Sequence, residues 1–226
     1  ENVARSISSP VKIDAEIYHM MDKRDEALIS DEILHGAMSG IFVYDFDIQG
    51  KNVSGISIRG AQHLARHYGG LKHRIVATTE KRGKLFIFKS YPSEGIPMQV
   101  TCSIVNELAD QPDYYEALVE MTDIKTGNTV QKSKLEYRFE KKRDGTFYER
   151  PNYTTIAESK ARRNAILDLV PQDVQEEFKA ECRKLGKTVT INPIDDKRDG
   201  IMKFAANKAI PLTREQVAGL DWNQIS

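Results

Sequence analysis

At 226 residues, 40% of them hydrophobic and 29% charged, the chain has the composition of a globular protein with one domain and appendages. No run of about 18 apolar residues occurs, which excludes a membrane-spanning helix. The opening ENVARSISSP carries no apolar h-region, and Cys102 and Cys182 have no metal-ligand spacing, so the expected setting is reduced and cytoplasmic (the host cytoplasm for a phage protein).

The formal net charge is zero, yet the charges are sorted into blocks. Residues 1–50 carry 4 Lys/Arg against 10 Asp/Glu, 51–93 carry 9 against 1, and 94–123 none against 7. Residues 124–163 carry 11 against 5, and the remainder 9 against 10. Such sorting predicts that the two basic blocks meet as one positive groove, with the acidic blocks elsewhere or facing a neighbouring subunit.

In chain order, residues 1–38 read as an acidic helical arm. Asp14 is expected to cap a helix with Ile17, Met20 and Met21 on one face, and Asp31 to open a short second helix. From Gly40, Phe42, Tyr44 and Phe46 alternate with Val43, Asp45 and Asp47 as a strand, and Gly50 turns it into a hairpin with NVSGISI. Ser57 caps a helix with Ile58, Ala61, Leu64, Ala65 and Tyr68 facing inward and Arg59, His63, Arg66 and His67 outward; Gly69-Gly70 stops it.

LKHRIVATTE and KLFIFKSY read as two strands about Lys81-Arg82-Gly83. MQVTCSIVNEL favours a strand by its β-branched residues, with NELAD open to either state. Tyr115, Ala117, Val119 and Met121 form one face of a further strand, and Lys125-Thr126-Gly127-Asn128 turns it. The return strand divides into Leu135, Tyr137 and Phe139 on one face and Lys132, Lys134, Glu136 and Arg138 on the other. After TTIAESKARRNAILDLVP, Pro171 begins a helix with Val174, Phe178, Cys182 and Leu185 as its stripe and Gly186 as its end. Beyond it, TVTINPIDDKRDG looks like a linker, followed by two short helices, the second capped by Thr213.

The fold class expected is α+β: antiparallel hairpins packed against a long helix. The core is assigned to residues 39–186, with the arm before it and a tail at 187–226.

The helix from Thr154 carries the clearest chemistry. Ala157, Ala161, Ala165 and Leu169 recur every fourth residue, which lets its backbone approach a sheet. Lys160 and Arg163 share another side, and Arg162 lies about 100° from Arg163. By itself this is also the pattern of an amphipathic helix with a solvated basic edge.

The strands supply context. Lys132, Lys134 and Arg138 share a strand face at about 6–7 Å per two-residue step, near the phosphate spacing of an extended single strand, and Lys72 and Arg74 repeat the pattern earlier. Together with Lys160, Arg162 and Arg163 they predict sequence-independent, salt-sensitive binding to a nucleic-acid backbone. Tyr137, Phe139, Tyr148 and Tyr153 are candidate stacking surfaces, although core packing is the expected use of the first two.

The chain has no phosphate-binding GxxxxGK[ST] loop, GxSxG, HExxH or CxxC. No cofactor or metal is expected, and the His63/His67 pair lacks an acidic partner between its members. Pro112-Asp113 followed by Glu140-Lys141-Lys142 formally satisfies a PD…(D/E)xK nuclease pattern, in which Asp113 and Glu140 would hold a divalent metal beside Lys142. Glu140 falls at a strand end beside a turn, a loose place for a metal ligand.

Two stretches, FVYDFDIQGKNVSGISIRGAQHLARHYGGLKHRI and EALVEMTDIKTGNTVQKSKLEYRF followed by TTIAESKARRNAILDLVP, resemble the single-strand annealing proteins, namely the phage recombinases RecT, Redβ and Erf and the eukaryotic Rad-type annealing mediators. The resemblance spans roughly residues 40–185 as an order of elements plus one basic helix. It implies a β-β-β-α core and ATP-independent binding of single-stranded DNA in a basic groove, by an oligomeric ring or filament. It also implies annealing of complementary strands in recombination, alongside an exonuclease or a host single-strand-binding protein. By it, Lys160, Arg162 and Arg163 line the groove and Lys132 and Lys134 border it. The acidic stretch PSEGIPMQVTCSIVNELADQPDYY has no counterpart, and Pro171 shortens the helix. A metal-dependent nuclease and a structural assembly protein are the alternatives.

Overall fold

The computed structural model describes residues 10–36, 40–48, 51–92, 96–103, 110–142 and 145–220. It begins with α1 (Pro10–His35), a single helix. Asp14 and Asp31, expected at helix starts, lie inside it. No glycine or proline interrupts 11–35, and Asp31 is held by His35 one turn on, at 2.8 Å. The docked stripe is Ile17, Met21, Asp25 and Ile29, all buried at a four-residue spacing. Asp25 is therefore a carboxylate on an apolar stripe.

β1 (Val43–Ile48) and β2 (Lys51–Ile56) form the expected hairpin. α2 (Ile58–Tyr68) starts at Ser57, whose hydroxyl accepts from the Gly60 N–H and donates to the Ile41 carbonyl. It ends at Gly69 and Gly70, with φ of +71° and +80°, a left-handed reversal that suits glycine at both positions.

β3 (Leu71–Arg82), β4 (Leu85–Ser90), β5 (Met98–Ser103), β6 (Tyr114–Asp123) and β7 (Thr129–Tyr137) make an antiparallel sheet in the order β5-β4-β3-β6-β7. Met98–Ser103 thus resolves to a strand, while NELAD falls mainly outside the described residues. A small hairpin, β8 (Phe139–Lys141) and β9 (Phe147–Glu149), extends past the end of β7. α3 (Tyr153–Leu169) crosses β6 and β7, and α4 (Gln172–Lys184) follows.

The segment after Lys187 is not a linker. Its β-branched run forms β10 (Thr188–Ile191), parallel to β1 in a second sheet ordered β10-β1-β2. Ile191 packs with Ile17, Met21, Tyr44 and Phe46. α5 (Pro193–Asn207) and α6 (Arg214–Ala218) end the described chain, α6 with the expected Thr213 cap.

The architecture is α+β. Its main core joins Val43, Ile56, Ala61, Leu64, Met121, Ala165, Ile166, Phe178 and Cys182. Ala157, Ala161 and Ala165 are fully buried, as their spacing predicted. One strand faces the other way from the expectation. Ala117, Val119 and Met121 of β6 are buried, and opposite them in β7 stand Lys134, Lys132 and Val130. Directly paired residues share a sheet face, so the lysines of β7 are on the buried side. Tyr137 and Phe139 are exposed instead of packed in the core. Among the described residues no helix is long and apolar enough to cross a membrane.

Candidate nucleic-acid interface

The basic helix meets the acidic arm of its own chain. Arg163, 3% exposed, donates to Asp25 and, at 2.8 Å, to Asp22. Asp25 is fully buried and also accepts from the Tyr44 hydroxyl at 3.1 Å and the Ile58 N–H at 3.0 Å. Lys160, 2% exposed, reaches Glu136 of β7 at 2.8 Å and Glu26 of α1 at 3.9 Å. Arg150 clamps the same two carboxylates at 2.9 and 2.6 Å, and Lys134 pairs with Asp22.

Four cations and four carboxylates therefore interlock between α1, β7, α3 and Arg150, the residue after β9. Burial pushes the Asp25 carboxyl above its ordinary value, even against Arg163. Burial acts the same way on Asp22, but Lys134, Arg163 and Lys160 outweigh it and hold that carboxyl low.

The other expected contacts are distributed over both sheet faces. Lys132, on the helix side, pairs with Asp168 at 3.0 Å. Lys72 and Arg74 project to the opposite face, since His73 between them pairs with the buried Met121. Arg74 is held by Glu120 at 2.7 Å and by the Tyr91 carbonyl at 3.0 Å, and Arg138 by Glu149 at 2.9 Å. Of the eight cations read from the sequence, Lys72 and Arg162 alone form no ion pair among the described residues.

Arg162 lies about 100° round the helix from Arg163, which turns it away from α1. It enters a cleft of about 520 Å³ between α2, α3 and the start of β3, lined also by Arg59, Gln62, Arg66, His73 and the Gly69-Gly70 reversal. Arg59 is engaged by Glu32 and Gln62. Among the described residues, Arg66 and Arg162 meet no carboxylate and none lines the cleft. His73 is driven below its ordinary pKa by partial burial and by the charge of Arg162. At the rim, Lys125 donates to the Tyr68 carbonyl at 2.6 Å and lies 4.8 Å from the Tyr68 ring centre. Preformed, concave and positive, the cleft can take up an anionic phosphate with no prior ion pair to break.

Arg66 was legible as an outward residue of α2. Its convergence with His73 and Arg162 was not, because they come from three elements.

The two carboxylates of the nuclease pattern have separate partners. Asp113 accepts from the Gly83 N–H at 2.6 Å and faces Lys81 at 3.5 Å, whereas Glu140 is held by Lys23 at 2.7 Å and by the Tyr148 hydroxyl at 2.9 Å. Among the described residues, no group of three or more His, Cys, Asp or Glu is gathered to hold a metal. His63 stacks on Phe42 with centroids 4.8 Å apart. Comparison with protein-family models, curated proteins and solved structures finds no match to this chain.

Proposed function

We propose that the protein binds single-stranded DNA by its phosphates and anneals complementary strands as an oligomer, without ATP. The observation carrying this reading is the α2–α3 cleft, where the exposed Arg66 and the half-buried Arg162 converge beside His73 with no carboxylate partner among the described residues, while the buried Lys160 and Arg163 are neutralised. Supporting it are the α+β order of hairpin, helix and basic helix, and the resemblance to annealing proteins that those elements carry. Cations on successive phosphates reduce the repulsion between two strands. Fixing the backbone alone leaves base edges free to pair.

The proposed interface differs in emphasis from the sequence expectation. Arg162 retains a binding role, whereas Lys72 faces the other side of the sheet from the cleft. Lys134, Lys160 and Arg163 serve the joint with α1, and Lys132, Arg74 and Arg138 would have to leave carboxylate partners to reach a phosphate.

The test is fluorescence anisotropy of a labelled oligothymidylate across a salt series, with annealing of complementary strands followed in parallel. Loss of two phosphate contacts in Arg66→Ala/Arg162→Ala makes the negative slope of log K against log salt shallower by about 1.4. No binding at about 50 mM salt, where backbone contacts are strong, refutes the proposal and leaves an assembly role. Magnesium-dependent degradation abolished by Asp113→Ala refutes it in favour of a nuclease.

A further inference from the structure

The β8–β9 hairpin carries aromatic rings where a folded surface ordinarily hides them. Phe147 is 67% exposed, Phe139 39% and Tyr148 38%, and Tyr137, just before the hairpin, is 49% exposed. The register sets Phe139 opposite Glu149 and Lys141 opposite Phe147, so these four share one face. The charge on that face is biased. Glu149 is neutralised by Arg138, whose guanidinium also lies 5.2 Å from the Phe139 ring centre. Lys141 forms no ion pair among the described residues, whereas Lys142, the next residue, belongs with the opposite face, where it stands 5.6 Å from the Tyr148 ring centre. Glu140, on the opposite face, is consumed by Lys23 and the Tyr148 hydroxyl.

The geometry points to this hairpin as a stacking platform for bases of single-stranded nucleic acid, with Phe147 and Phe139 against base faces and Lys141 on the adjoining phosphate. The assignment rests on the reading that the protein binds such a strand. Rings beside a lysine that has no ion pair among the described residues complement a polyanion that also has flat apolar faces. A protein partner fits less well. Strands of three residues offer a small patch beside the roughly 800 Å² per side of a stable protein interface, whereas a base needs only one ring. The cleft by Arg162 grips backbone; the hairpin would take bases.

The test separates base from backbone. Anisotropy is measured with labelled oligothymidylate and with an abasic deoxyribose-phosphate oligomer of the same length. The wild-type protein is expected to bind oligothymidylate more tightly. Phe147→Ala weakens that binding by about tenfold to a hundredfold and leaves the abasic oligomer unchanged, while Phe147→Trp preserves affinity. Equal loss on both ligands, or no loss, overturns the platform. So does a change in sedimentation with oligothymidylate affinity per subunit unaltered, which would place a second copy on the hairpin. A wild-type protein that binds neither ligand ends the annealing reading itself. One that binds both equally ends only the platform.

Discussion

Arg163→Ala distinguishes a structural cation from a phosphate ligand. In the folded protein the Arg163 guanidinium is 3% exposed and faces Asp22 and the fully buried Asp25. Truncation to alanine leaves Asp25 with hydrogen bonds from the Tyr44 hydroxyl and the Ile58 N–H but no compensating charge. An uncompensated buried charge costs about 3–5 kcal/mol, a large share of a total stability of about 5–15 kcal/mol. For a chain of this size that is a fall in melting temperature of about 6–20 °C. Circular dichroism during thermal and urea unfolding measures it. Adding Asp25→Asn removes the orphaned charge while keeping an oxygen for both donors, and should recover part of the loss. The reasoning is refuted if Arg163→Ala melts within about 2 °C of wild type, less than 1 kcal/mol on that scale, while oligonucleotide affinity drops with a shallower salt slope.

Three further outcomes follow from other sites. Because burial and Arg162 depress the His73 pKa, anisotropy titrations should show affinity rising only as the pH falls below the ordinary imidazole range, a rise that His73→Gln abolishes. Asp22 and Asp45 have folded values below the ordinary one despite burial, through Lys134 and Arg163 and through Arg183 and Ser54 respectively. The stability they contribute is complete above about pH 4 and lost as pH falls through their folded values, so urea midpoints should drop on acidification and do so less steeply in Asp22→Asn. Gly60→Ala gains about 1 kcal/mol of helix propensity but drives a Cβ into the Phe42 carbonyl oxygen, so the urea midpoint should fall by the equivalent of about 1–3 kcal/mol.

What the sequence disclosed was whatever a single element decides by itself. Ser57 and Gly69 bound α2 because a cap and a left-handed stop are local chemistry. Alanine at 157, 161 and 165 marks the docked stripe of α3 because helical period fixes which residues share a side. The failures share one cause. By hydrophobicity alone Tyr137 and Phe139 read as core and Lys132 and Lys134 as surface, whereas Tyr137 and Phe139 are exposed. That rule assumes an apolar partner, and here the partner was an acidic helix more than a hundred residues earlier in the chain.

That partnership also changes what the charge blocks mean. An acidic block at the start and a basic block at 124–163 suggested separate surfaces, one of them for a polyanion. Asp22, Asp25 and Glu26 instead meet Lys134, Arg150, Lys160 and Arg163 within one molecule, so most of the attraction is satisfied internally. Helical geometry decides which cation escapes. Lys160 and Arg163, three residues apart, lie on the side covered by α1, and Arg162 falls between them in sequence but not in space. A run of basic residues on a helix is thus not one feature. Its members divide by angle, and the one turned from the acidic arm can meet a phosphate without first giving up a buried carboxylate.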